Sequence, residues 1–190
     1  MSARNRRWFL FSAALIVAGL GFSPAIATIC WHLRHNGQIN YGGAHFVVPR
    51  RWSASITPTG AFFAKRPLSV LGPASLAWAM LAPTRHPPRT DAELEASYAS
   101  FAAIYWTKLL REQEIQQGPI RVRAAEQEAF CMQSVLTDRR DWFHVTCLVS
   151  RGTWSVDFQG SLTDKIEFFN RVLGLPDVRP RENKPAGAPR

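Results

Sequence analysis

Three residue types in the C-terminal half could together perform hydrolytic chemistry: Ser134, His144 and Asp157. A serine hydroxyl becomes a nucleophile when an imidazole takes its proton and a carboxylate holds that imidazole in place. Whether the three meet depends on how the strands that carry them pair. If Arg151-Gly152 is a two-residue turn, Val145 faces Phe158, Cys147 faces Val156 and Val149 faces Trp154. These apolar pairs share one face, and a slip of one residue would break all of them. The preceding hairpin turns between Thr137 and Asp141, in a register that sets Cys131 opposite Cys147 and Ser134 opposite His144. Asp157, paired with Thr146, is then diagonal to His144 on the same side. Two features oppose a triad. No G-x-S-x-G elbow presents the serine. Thr146, Ser150, Thr153, Ser155 and Gln159 share that side, so a solvated polar face explains the same residues. No residue is assigned a catalytic role on this reading, and an envelope hydrolase built on Ser134, His144 and Asp157 is the alternative.

The same register brings Cys131 and Cys147 within reach of a disulfide, because directly opposed Cα atoms lie about 4.5–5.5 Å apart. In an exported chain the pair is expected to be oxidised and to act as a structural staple. A reduced buried pair and a strained, reducible switch are the other readings. Cys30 is left over. Only 3 cysteines occur in 190 residues, with no zinc-like spacing. His32 and His35 make an H-x-x-H pair, which supplies two metal ligands without a third. No P-loop, dinucleotide fingerprint or H-E-x-x-H helix occurs, and no metal or cofactor is expected.

The compartment follows from the first thirty residues. Trp8 to Trp31 carry no charge, and about 36 Å of helix would cross a hydrocarbon core of ~30 Å. Arg4, Arg6 and Arg7 precede this run, so the positive-inside rule places the N-terminus in the cytoplasm and the remainder outside. Residues 1–7 read as a basic cytoplasmic end, 8–31 as a single-pass anchor in the inner (plasma) membrane, and 32–43 as a juxtamembrane linker. Residues 44–174 read as an extracytoplasmic domain and 175–190 as a disordered tail. Ala25-Ile26-Ala27 after Pro24 offers a competing signal-peptide site, with secretion after cleavage at Ala27. Both readings export the domain.

Within the domain, Trp52, Ala54 and Ile56 alternate onto one face, and Pro58-Thr59-Gly60 turns the chain into Ala61–Ala64. The uncharged stretch Pro67–Pro83 ends in a strand with Leu76, Trp78 and Met80 expected on the core side. Thr90-Asp91-Ala92-Glu93 is a capping box. It opens a helix with an apolar stripe through Leu94, Tyr98, Phe101, Ala102, Tyr105 and Leu109, stopping before Gly118-Pro119. Trp106 falls off that stripe and is the candidate interaction surface. Ile120, Val122 and Ala124 begin the run of antiparallel strands. Ser161 caps a last helix with Leu162, Ile166, Phe169, Val172 and Leu173 in one stripe. The expected fold is α+β: an antiparallel sheet with one long and one short helix, preceded by a transmembrane helix.

Basic residues outnumber acidic ones 23 to 14, a net charge of +9. They are scattered along turns and strand ends, such as Arg50-Arg51 and Arg139-Arg140, which describes a solvated rim and not a nucleic-acid site.

The order of elements, and the segment Phe46-Val47-Val48-Pro49-Arg50-Arg51-Trp52, resemble the Mog1/PsbP-like α/β/α sandwich, whose members often begin with an F-x-x-P-x-x-W strand pair. The resemblance covers Ala44 to Leu173, and the insertion around Pro67–Ala82 departs from it. It implies a fold and an accessory, non-enzymatic style of work, with no functional residues carried over. The function expected is a tethered, non-catalytic interaction module of the cell envelope. It touches membrane lipid through residues 8–31 and an envelope protein partner, with no nucleic acid. A small-ligand carrier with a pocket between sheet and long helix is a further alternative.

Overall fold

The computed structural model describes residues 12, 16, 19, 21–68, 76–105, 107, 114–124 and 127–175. In chain order the elements are α1 (Ser23–His35), β1 (Gln38–Tyr41), β2 (Ala44–Val47), β3 (Trp52–Thr57), β4 (Gly60–Lys65), β5 (Trp78–Pro83), α2 (Asp91–Ile104), β6 (Glu114–Ala124), β7 (Gln127–Leu136), β8 (Trp142–Val149), β9 (Trp154–Ser161) and α3 (Leu162–Arg171). Strands β3 to β9 form a seven-stranded sheet in the order β3-β4-β5-β9-β8-β7-β6, and β1 and β2 make a separate hairpin. Every pairing is antiparallel. The α+β reading holds, and the last strand, β9, lies in the middle of the sheet.

Both faces are covered. On one, Trp52, Phe63 and Phe158 pack with Phe168 and Phe169 of α3 and with Ile39 and Phe46 of the hairpin. On the other, Leu148 and Phe130 meet Leu94, Tyr98 and Phe101 of α2. Coverage on both sides explains why Cys131–Val135 and His144–Val149 are buried without interruption, where alternation with one wet face was expected.

The C-terminal registers are as read from the pattern: Val145 faces Phe158, Cys147 faces Val156 and Val149 faces Trp154. Likewise Cys131 faces Cys147 and Ser134 faces His144. The connecting turn is wider than two residues, with Ser150, Arg151 and Gly152 all at positive φ. Cys131 and Cys147 form a disulfide, and both are fully buried. Thr90 caps α2 by accepting from the Glu93 amide at 3.2 Å, while the Glu93 carboxylate accepts from the Arg89 amide at 2.6 Å. Ser161 caps α3 through the Asp164 amide.

Several expectations are corrected. In β5 the core side holds Ala79 and Leu81, continued by Ala77 just before the strand, whereas Trp78 and Met80 are half-buried on the reverse side and Leu76 is also only half-buried. Ala79 sits between Phe63 and Phe158 on the neighbouring strands, and these rings fill the layer and leave room only for a methyl group. Ile56 is exposed, since β3 runs past the core there. In the expected stripe of α3, Phe169, Val172 and Leu173 are buried as read, but Ile166 is half-buried, Leu162 is exposed, and Phe168, which that stripe left out, is fully buried. Phe168 contacts Trp52, Phe63 and Phe158, a site that the smaller Leu162 would not fill. The helix expected to run to Gly118 gives way earlier, because Glu114–Gln117 belong to β6.

The expected linker 32–43 is part of the fold. Residues 32–35 end α1 and 38–41 form β1, with Ile39 and Phe46 paired and buried in the core. The Trp31 indole donates to the Ala54 carbonyl at 2.8 Å, and His32 Nε2 donates to the Trp52 carbonyl at 3.0 Å. These two bonds occupy acceptors on the free edge of β3, a position that otherwise invites pairing with another chain. No helix among the described residues is long and apolar enough to cross a membrane. Most of the expected anchor before Gly21 lies outside the described residues, as do Trp106, Leu109 and the tail beyond Leu175.

Candidate functional site

Where β6, β7, β8 and β9 run side by side beneath the end of α2, six polar side chains form one chain of hydrogen bonds. The Tyr105 hydroxyl donates to Ser134 Oγ at 3.0 Å, and Ser134 donates to Glu114 Oε2 at 2.7 Å. His144 Nδ1 faces the same carboxylate at 3.3 Å and 3.4 Å, and His144 Nε2 donates to Asp157 Oδ1 at 2.9 Å. Thr146 donates to that Asp157 oxygen at 3.3 Å.

Strand geometry explains the assembly. Ser134 and His144 are cross-strand partners, Thr146 pairs with Asp157, and Gln116 pairs with Ser134. Glu114, two residues before Gln116, is therefore diagonal to Ser134 on the same face. Tyr105, at the end of α2, covers them.

The face expected to be solvated is closed around Ser134, His144 and Thr146, while Ser150, Ser155 and Gln159 are half-buried and Thr153 is exposed. Ser134 and Tyr105 are fully buried, and Glu114, His144 and Thr146 are nearly so. Asp157 is the open end, with its side chain 42% exposed.

Both nitrogens of the His144 ring point at carboxylates, an arrangement satisfied only when both carry hydrogen. Burial of the ring pulls its pKa down. The hydrogen bond and charge of Asp157, with the charge and hydrogen bond of Glu114, outweigh that pull and hold the pKa above the ordinary histidine value. Burial acts in the other sense on Tyr105, whose phenol is pushed up to about 12.

As chemistry, the arrangement differs from a triad. The structure does bring Ser134, His144 and Asp157 together, but the serine proton points at Glu114 and not at the imidazole. The Ser134 hydroxyl is fully buried between a phenol and a carboxylate. What the cluster can do is hold a buried cation between two carboxylates and register the proton on His144.

Glu114 escaped the sequence reading because it was placed at a helix end. A shift of register between Gln116 and Pro119 breaks the alternation that would have revealed the strand. Tyr105 was on the expected apolar stripe, but nothing in its spacing showed a hydroxyl aimed at Ser134.

Other candidates resolve separately. His32 is taken up by the Trp52 carbonyl, and His35 donates to the Trp31 carbonyl at 2.9 Å while stacking on that indole. Among the described residues no group of three or more His, Cys, Asp or Glu could hold a metal. Cys30 is free and exposed.

Described residues border at least two surface cavities. One of about 210 Å³ is lined by Ala27, Thr28, Trp31, Ser55, Phe62 and Arg66, and one of about 290 Å³ by Phe46, Leu81, Trp154, Arg171, Val172 and Leu173. Neither lies between the sheet and α2, where a carrier pocket was expected. No protein-family model matches the chain, and no curated protein matches it.

Proposed function

We propose that the chain is a membrane-anchored, extracytoplasmic accessory module of the cell envelope, with its N-terminus in the cytoplasm and a non-catalytic, interaction-based role. The observation that carries this reading is the buried Cys131–Cys147 disulfide, a bond that forms and persists in oxidising compartments. The uncharged run from Trp8 to Trp31 supplies the anchor, and the three arginines before it supply the orientation.

The polar cluster supports the non-catalytic part. Ser134, the only serine in it, spends its proton on buried Glu114, so the hydrolase built on Ser134, His144 and Asp157 lacks an activated, accessible nucleophile. Tethering raises the local concentration of a weakly bound partner, which suits an interaction module of this kind. The resemblance to the Mog1/PsbP-like sandwich points toward the same accessory style of work.

The test is a topology reporter fused after Arg190 in the full chain, together with alkylation of the unreduced protein. Activity of the reporter only outside the cytoplasm, with Cys131 and Cys147 protected, supports the proposal. Cytoplasmic activity, or blocking of Cys131 and Cys147 without reductant, overturns it.

A further inference from the structure

Helix α1 has two faces of different character. Phe22, Ile26, Ile29 and Leu33 are all exposed, and Leu33 is 79% accessible. At about 100° per residue Ile26, Ile29 and Leu33 fall within roughly 60° of one another, with Phe22 at the N-cap of the helix. Trp31, which is bonded to Ala54, lies about 170° away from the middle of that stripe. Thr28, buried and bonded to the Pro24 carbonyl, is on the docked side as well. The helix is thus pinned by one face to the edge of the sheet and offers a continuous apolar stripe on the other.

The chain before it decides what covers the stripe. From Trp8 through α1 no charged residue occurs until Arg34. Ile16, one of the few described residues upstream, is exposed too. An apolar stripe continuous with an uncharged run longer than a bilayer core is matched by lipid and not by a water-facing partner. Apolar surface of this length is not left open to water on a soluble face without an occupant.

We propose that the outer stripe of α1 lies in the boundary layer of a lipid bilayer, and that the Trp31 and His32 bonds thereby clamp the β3–β4 end of the sheet against the headgroups. The inference rests on the anchor reading above and adds where the domain sits: on the membrane surface, held by its edge, with no flexible stem. The crevice beside α1 carries Phe62 and Arg66, an aromatic ring and a cation of the kinds that favour the headgroup layer.

Depth measurements on the full chain in vesicles of phosphatidylglycerol and phosphatidylethanolamine test this. Nitroxide labels are placed on native Cys30 and, in a Cys30→Ser background, on Ile29→Cys, Leu33→Cys, Ser55→Cys and Thr137→Cys. The labels at residues 29, 30 and 33 are expected to be several-fold more accessible to oxygen, relative to a water-soluble nickel chelate, than the label at 137. The label at 55 is expected at an intermediate, headgroup depth.

Nickel access at residues 29 and 33 equal to that at 137, in a chain that resists alkaline extraction, overturns the clamp and leaves the anchor standing. Dipolar broadening between labels at 29 or 33, with shielding from both reagents, assigns the stripe to a second copy and overturns it as well. Release of the chain from vesicles by alkaline carbonate removes the anchor reading and the clamp with it.

Discussion

Ser134 donates its hydroxyl hydrogen to Glu114 at 2.7 Å, although His144 is the residue directly across the strand from it. That choice converts a would-be triad into a support for a buried carboxylate. It also sets what substitution at Glu114 does. Glu114→Ala removes the acceptor shared by the Ser134 hydroxyl and the His144 ring, and is expected to cost about 1–3 kcal/mol of folding stability. Glu114→Gln retains an acceptor and is expected to cost less. Urea unfolding monitored by tryptophan fluorescence reads both.

The raised pKa of His144 makes stability depend on pH in a definite sense. The folded state holds its proton more tightly than the unfolded chain, so the contribution is fully present below about pH 6.5 and is lost as pH rises through the folded value. His144→Gln is expected to flatten that dependence. Midpoints of urea unfolding from pH 5 to 9 measure it, and an unchanged slope in the variant would assign the dependence elsewhere.

Tyr105 acts at the alkaline end. Its phenol ionises near pH 10 when unfolded but only at about 12 when folded, so stability is expected to fall between these values, by as much as about 3 kcal/mol. Tyr105→Phe is expected to remove this fall and to cost about 1 kcal/mol at neutral pH through the lost bond to Ser134. Thermal melts at pH 9, 10 and 11 separate the two effects.

The disulfide joins residues 16 apart in sequence. Closing a loop of that size in the unfolded chain is worth about 3 kcal/mol. The double variant Cys131→Ala, Cys147→Ala is expected to unfold at correspondingly lower urea. Reducing agent is expected to shift the wild-type midpoint and leave the variant unmoved.

Gly160 marks a close approach in the sheet. A methyl group there would stand 2.7 Å from the Ala77 Cβ and 2.8 Å from the Phe158 ring. Gly160→Ala is expected to destabilise the fold by about 1–3 kcal/mol through overpacking. Hydrogen exchange is expected to localise the loosening to β5 and β9.

Legibility in the sequence varied with the physics of each segment. The registers of β7, β8 and β9 were readable because apolar partners had to land on one face together and two cysteines met across a strand pair. Period-two alternation in β5 told that its sides differ, but not which was inward. That depended on the bulk of Phe63 and Phe158, which come from distant segments. The polar face bearing Ser134 and His144 looked wet because its own residues do not reveal that Tyr105 closes over it. Glu114 was hidden by the bulge near Pro119. The docking of α1 left no signature that the anchor pattern would not also produce, since Trp31 suits a membrane boundary as well as a carbonyl on β3.

The position of β9 bears on how the molecule is made. Among the described residues, strands β3–β5 and β6–β8 have no hydrogen-bonded ladder to each other except through Trp154–Ser161, which arrives after both. Synthesis delivers two half-sheets with exposed inner borders, and a late insert zips them shut. Until that insert emerges, each border is open to a wrong neighbour, so a truncation before Trp154 leaves two unjoined ribbons in place of a smaller version of the fold.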